Sequence, residues 1–246
     1  MKLDVVFTPL GLGATEAAGR TVFVVDVLRA ATTMCTALAN GARAVVPAAS
    51  GEDAVRMAQT IGTADVVLAG ERNCVRMSGF ALGNSPREMV PDAVRGRLIV
   101  QSTTNGTRAL LAVQGARAIY VAAAVNLAVA GDRARTALEG GESVLIVCAG
   151  REGAFSLDDA YCAGRLARAA LGPRPHRRGL GDAAIASLDL VRRYGDKWLR
   201  PFGRSGAGRE LIRLGFADDV RDAARTDAYP VLPRFHDRRL TVAEAA

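Results

Sequence analysis

Thr21-Val-Phe-Val-Val is an apolar, largely β-branched run that ends on Asp26, and Arg29 and the pair Thr32-Thr33 follow at once. Such a run reads as a buried strand of a parallel sheet. A carboxylate inside that strand would be costly unless paired or bound to a metal. At the strand's C-terminal end, Asp26 instead stands where open α/β sheets bind ligands. Arg29 beside it can grip an anion through paired hydrogen bonds. A carboxylate for a cation and a guanidinium for an anion together suggest a metal–phosphate site.

Three more apolar runs end on unusual polar residues: Gly70-Glu71-Arg72-Asn73, Ser102-Thr-Thr-Asn105-Gly106-Thr107 and Cys148-Ala-Gly150-Arg151-Glu152-Gly153. In a parallel sheet all of these loops emerge at one edge. The Ser102–Thr107 loop carries four hydroxyls in six residues. Free amides at a helix start bind phosphate well, and small side chains permit close approach. Ordinary capping by Thr104 or Asn105 is the competing reading; the number of hydroxyls favours phosphate. Asp26 and Glu71 can share a hard cation such as Mg²⁺, which prefers carboxylate and phosphate oxygens. The simpler alternative is a salt bridge for each, to Arg29 and Arg72.

Phe155-Ser-Leu-Asp158-Asp159 leads into a helix. Ser156 suits the N-cap and acids suit the first turn. One aspartate is explained that way; the second stays open as a ligand or general base. In Gly79–Pro86, Asn84 or Ser85 can cap a helix that starts at Pro86, and the loop can wall the pocket.

The chain that must position these residues has 246 residues, half of them hydrophobic, enough for one large domain. Strands are expected at 3–7, 21–25, 43–47, 65–69, 97–101, 117–122 and 143–148, with a late edge strand at 229–235. Helices are expected at 30–40, 51–61, 86–94, 107–114, 126–139, 158–171, 180–194 and 206–225. The alternation implies an α/β fold, a largely parallel sheet flanked by helices in three layers. The loop 172–179 is the best candidate for a break between two subdomains of a single unit. Thr32-Thr33, a helix and Gly41-Ala-Arg-Ala are echoed by Thr103-Thr104, a helix and Gly115-Ala-Arg-Ala. If that echo is a duplication, both threonine loops should face one ligand.

Several functions are excluded. No apolar run reaches the roughly 18 residues of a membrane span, and Met1-Lys2-Leu3-Asp4 lacks a signal peptide's apolar stretch, so the cytoplasm is expected. The four cysteines form no C-x-x-C pair, which argues against zinc. An aspartate-nucleophile phosphatase needs an acid where Leu28 stands. A cysteine phosphatase needs an arginine where Ala154 stands. No P-loop motif occurs, and His176 and His236 sit in arginine-rich, solvated loops. The net charge of +7 admits nucleic acid, but the arginines form no block, so that reading ranks last. An anionic small substrate accounts for the charge equally well.

Taken in order, Asp26-Val-Leu-Arg-Ala, Gly70-Glu-Arg, Gly79-Phe with Gly83-Asn-Ser-Pro86, Thr103-Thr-Asn-Gly-Thr107 and Cys148-Ala-Gly with Phe155-Ser-Leu-Asp158-Asp159 resemble the 2-phosphosulfolactate phosphatases, over about residues 4 to 235. The resemblance implies a Mg²⁺-dependent phosphohydrolase that converts 2-phospho-3-sulfolactate to 3-sulfolactate on the route to coenzyme M, with a fold peculiar to the family. Asp26, Arg29, Glu71 and Arg72 are then the expected catalytic residues. Asn84, Ser85, Thr103, Thr104, Asn105, Thr107 and Arg151 are the expected substrate contacts. Asp26, Glu71, Asp158 and Asp159 are the expected metal ligands. Arg108 is a further cation near the edge. Cys74 departs from the pattern, because family members usually carry glycine there. A non-catalytic binder of phosphorylated metabolites is the alternative reading of the same scaffold, and a homodimer is the expected assembly.

Overall fold

The computed structural model describes residues 3–62, 65–172 and 178–243. Its strands are β1 (Leu3–Val6), β2 (Thr21–Val25), β3 (Ala44–Ala48), β4 (Val66–Arg72), β5 (Val75–Arg76), β6 (Leu98–Ser102), β7 (Ala118–Ala122), β8 (Val144–Cys148), β9 (Pro233–His236) and β10 (Arg239–Val242). Its helices are α1 (Ala14–Ala17), α2 (Ala30–Ala39), α3 (Gly51–Ile61), α4 (Pro91–Val94), α5 (Gly106–Ala112), α6 (Leu127–Glu139), α7 (Leu157–Leu171), α8 (Asp182–Tyr194), α9 (Leu199–Arg204), α10 (Gly206–Arg213) and α11 (Ala217–Ala223).

The strands form one sheet in the order β1-β8-β2-β7-β9-β10-β3-β6-β4-β5. Two parallel blocks, β1-β8-β2-β7 and β3-β6-β4, are joined by the antiparallel β9–β10 hairpin. The late strand expected at an edge is therefore an interior hairpin. It alternates burial along its length, with Phe235 and Leu240 in the core and Arg234 and Arg239 exposed. One face of the hairpin closes the core, so it fits between the blocks although its sequence is short and polar.

Alternate residues of β2 divide between the two faces of the sheet. Phe23 and Val25 pack beneath α6, α7 and α8, and Val22 and Val24 pack beneath α2 and α5. Every residue of β2 is buried, as the continuous apolar run demands. Layers of helix cover both faces, giving an α/β protein with a mostly parallel mixed sheet. The helix expected at 86–94 is a 3₁₀ turn over Pro86–Glu88 followed by the short α4, because Pro91 cannot continue a helix begun at Pro86. The helix expected at 206–225 divides at Gly215, whose φ is +89°. The expected break at 172–179 falls mostly on residues 173–177, which lie outside the described residues, as does His176.

The two echoed segments are reciprocal crossovers. β2–α2–β3 carries the chain from the first parallel block to the second, and β6–α5–β7 carries it back. Their starting points, after β2 and after β6, are the places where an open sheet binds ligands.

Candidate active site

A cleft of about 290 Å³ opens at the C-terminal edge of the parallel strands. It gathers Asp26 and Arg29 after β2, Glu71 and Cys74 at the β4–β5 turn, Thr103, Thr104 and Asn105 after β6, and Arg151 after β8. Asp158 and Asp159 enter from the first turn of α7, and Asn84 from the loop before the 3₁₀ turn. Ten of the thirteen expected site residues thus line one cavity, although they are spread from position 26 to position 159.

Asp26, Asp158 and Asp159 are all buried. Burial pushes the Asp26 carboxyl from 3.8 up to about 7; repulsion by Asp158 and Glu71 adds to this, while the Ala30 N–H and Arg29 oppose it. Burial likewise raises Asp158, against a hydrogen bond from Ser156. Asp159 is held well above the carboxylate range by burial and by its two acidic neighbours. Room for Asp26 comes from Gly106, where a Cβ would stand 2.9 Å from Asp26 Oδ2 and 2.8 Å from Ala30 Cβ.

Hydrogen bonds cross-brace the loops around these acids. The Val27 N–H (2.9 Å) and Gly150 N–H (3.1 Å) donate to the two oxygens of Asp159, tying α7 to the loops after β2 and β8. Glu71 Oε1 accepts from the Thr104 N–H (3.1 Å) and hydroxyl (2.9 Å), and Oε2 accepts from the Cys74 N–H at 2.7 Å. The Glu152 N–H donates to Asn105 Oδ1 at 3.2 Å, joining the loops after β8 and β6. Thr103 Oγ1 receives the Thr107 N–H (3.3 Å), so Thr103 caps the start of α5 while Asn105 makes no side-chain cap. Ser156 occupies the N-cap of α7, yet its hydroxyl donates to Asp158.

Among the described residues no three His, Cys, Asp or Glu side chains form a ready-made metal cage. Of the four acids expected to bind metal, Glu71 and Asp159 commit both oxygens to the bonds just described. Asp26 is engaged least, by the Ala30 N–H at 3.4 Å, while Asp158 accepts from the Ser156 and Ser205 hydroxyls and from N–H groups of its own helix start. Two buried carboxylates facing one cleft suit Mg²⁺, which takes one or two protein carboxylates and completes its shell from substrate phosphate and water.

Arg29 lines the cleft while only 3% exposed. Its guanidinium pairs with Asp219 at 2.7 Å, donates to the Cys74 carbonyl at 2.7 Å and lies 4.7 Å above the Phe216 ring. Arg151 is 36% exposed and stands in the cleft wall beside Glu152. Three expected site residues stand apart. Arg72 is exposed and does not line the cleft; it alternates away from Glu71 along β4. Ser85 turns inward, accepting the Arg87 N–H and donating to Asp219. Thr107 is buried against Thr103. Arg108 is exposed outside the cleft. Thr32 and Thr33 are buried and donate to the Val27 and Asn84 carbonyls, so only the second threonine loop faces the cavity. His236 is exposed beside Asp237.

Ala207 and Glu210 of α10, also in the lining, and Asp219 of α11 were not singled out from sequence. The glycine-rich helix start Gly203-Arg-Ser-Gly-Ala-Gly208, capped by Ser205, is the signal that could have marked Ala207 and Glu210; nothing comparable flanks Asp219. Asn73 and Cys74 form the two-residue turn between β4 and β5, with φ of +53° and +67°. Both central residues of a type I′ turn need positive φ, and Asn-Gly is the favoured pair. A glycine where Cys74 stands would meet that need without strain.

The family model for 2-phosphosulpholactate phosphatase matches residues 7–238. A probable 2-phosphosulfolactate phosphatase of Symbiobacterium thermophilum is 40% identical over 233 residues, covering 94% of this chain and 97% of the relative. Proteins given the same description from Nostoc punctiforme and Clostridium novyi are 35% and 30% identical, over 96% and 98% of this chain and 96% and 100% of their own lengths.

Proposed function

The chain belongs to the 2-phosphosulfolactate phosphatase family, and from that membership and its cleft we propose a Mg²⁺-dependent hydrolase of the phosphate ester of a small acidic hydroxy acid, foremost 2-phospho-3-sulfolactate. One observation carries this reading: buried carboxylates, a hydroxyl-rich helix start and two arginines converge on one cleft at the ligand-binding edge of the sheet.

The ester's charges and the cleft's groups are complementary. Arg29 provides planar donors for phosphoryl oxygens at the buried end, and Arg151 provides a second cation in the wall for the other acidic group of the substrate. The Thr103–Asn105 turn offers hydroxyl and amide donors to charge that grows on phosphorus oxygens. Asp26 and Asp158 would hold Mg²⁺, which supplies positive charge across the phosphoryl oxygens. Asp26 delivers the attacking oxygen, its own or that of a water it orients. The new P–O bond forms as the ester P–O bond breaks, and the departing alkoxide takes the proton that the attacking water gives up to Asp26. Where Asp26 itself attacks, a water then cleaves the aspartyl phosphate at phosphorus, supplies that proton and frees the carboxylate and phosphate. The cross-bracing of loops keeps these groups in place before substrate arrives, so little reorganisation opposes the reaction.

The product, a sulfonated hydroxy acid, would suit a route such as that to coenzyme M. A set of phosphorylated hydroxy acids assayed for phosphate release with Mg²⁺ and with EDTA tests the reading. Turnover with Mg²⁺ that EDTA abolishes is expected. Tight binding of the same esters without any release, with Mg²⁺ present, would favour a binder and refute the hydrolase.

A further inference from the structure

We propose that Asp219 of α11 is the positioning residue for Arg29, and through Arg29 for the phosphate group of the substrate. The proposal rests on the phosphatase reading for its phosphate, and on separate geometry for its substance. Asp219 is 2% exposed and stands 190 residues from Arg29 in sequence, yet its Oδ2 accepts from the Arg29 guanidinium at 2.7 Å. Its Oδ1 accepts from the Ser85 hydroxyl, also at 2.7 Å. Both oxygens are thus spent on two separate loops of the cleft wall, and the residue next to Ser85 is Asn84, which lines the cavity.

A guanidinium has five N–H donors in a rigid fork. Two bonds fix its plane here, one to Asp219 and one to the Cys74 carbonyl, with the Phe216 ring beneath it. The remaining donors are left for an anion in the cleft that Arg29 lines. Without Asp219 the long side chain has more than one way to lie, and its fork no longer meets the phosphate in one orientation. Asp219 touches neither cavity nor substrate; it does not line the cleft. Its effect passes through Arg29.

The test is a double-mutant cycle of Asp219→Asn with Arg29→Lys. It reads affinity for inorganic phosphate by calorimetry in one arm and kcat and KM in the other. Asp219→Asn alone is expected to weaken phosphate binding and raise KM about tenfold or more. In the Arg29→Lys background the same change is expected to do little further, because nothing remains to be aimed. Equal losses in both backgrounds, or unchanged phosphate affinity in Asp219→Asn, would overturn the proposal. Asp219→Glu keeps the charge but displaces the fork by one methylene; it should fold and still weaken phosphate binding, which guards against a misfolded Asn variant. A wild-type chain that binds phosphate but hydrolyses no ester would refute the phosphatase reading while leaving the phosphate arm to decide the role of Asp219.

Discussion

Replacing Asp26 by Asn should abolish activity and yet make the ligand-free protein more stable. The carboxyl is moved from 3.8 to about 7, roughly three pH units, chiefly by burial and by Asp158. At about 1.4 kcal/mol per unit, the ionised group costs the folded state on the order of 4 kcal/mol. The Asn amide keeps the shape and an oxygen for the Ala30 N–H but needs partners of its own, so a net gain of about 2–3 kcal/mol is expected. For a chain of this size that is a rise in Tm of roughly 5–10 °C.

The pH dependence fixes the sign. A carboxyl whose folded pKa lies above its unfolded pKa contributes stability below pH 3.8, and loses it as pH rises through about 7. The Tm gap between Asp26→Asn and wild type should therefore be small near pH 4, open through pH 7 and level off above it. Thermal melts in EDTA across that range, paired with phosphate-release assays, read both effects. A variant that melts at or below wild type at pH 8, or a gap that ignores pH, would show that the cluster is not the strained element described here. Phosphate release within tenfold of wild type would remove Asp26 from the reaction.

Gly106→Ala should cut kcat/KM by more than tenfold and destabilise by about 1–3 kcal/mol, since its Cβ meets Ala30 Cβ at 2.8 Å and Asp26 Oδ2 at 2.9 Å; steady-state kinetics and urea melts check this. Cys74→Gly should stabilise by about 1 kcal/mol in the same melts, because φ of +67° suits glycine and strains cysteine. Gly164→Ala serves as a contrast remote from the cleft: its Cβ would lie 2.1 Å from the Ser187 carbonyl oxygen, where α7 packs on α8. It should cost more than 3 kcal/mol, with the folded fraction retaining its KM.

Much of the site was legible because strand ends announce themselves. An apolar run that stops on an acid or a hydroxyl cluster marks a C-terminal strand edge, and this alone brought Asp26, Glu71, Thr103 and Arg151 together. What those residues do inside the cleft was less legible. Glu71 and Arg72 are neighbours in sequence, but strand alternation sends one to the cleft and the other to solvent. Thr103 and Thr107 look like equivalent hydroxyls, and only Thr103 lines the cavity. Asp219 was silent because its meaning depends on a partner 190 residues away, and an acid in a first helical turn is ordinarily explained by the helix dipole. The late apolar stretch 229–235 reads as an edge strand from sequence; the structure makes its end the first arm of the β9–β10 hairpin, whose place in the interior follows from two blocks that each need a partner.

The cost of the acidic cluster explains why the surrounding loops are braced so heavily. Three carboxyls that repel one another would open the cleft if the loops carrying them were free. Asp159 is pinned by backbone N–H groups from two loops, and Glu71 by groups from two turns. These bonds hold the repelling groups in register for a ligand that brings opposite charge. Magnesium or another divalent cation at saturating concentration should therefore raise the Tm of wild type more than that of Asp26→Asn. That difference isolates the relief of carboxylate repulsion from any general effect of salt, which would move both proteins alike. Equal shifts would mean that the carboxylates face the cleft without sharing a cation, and that the strain is released by protonation alone.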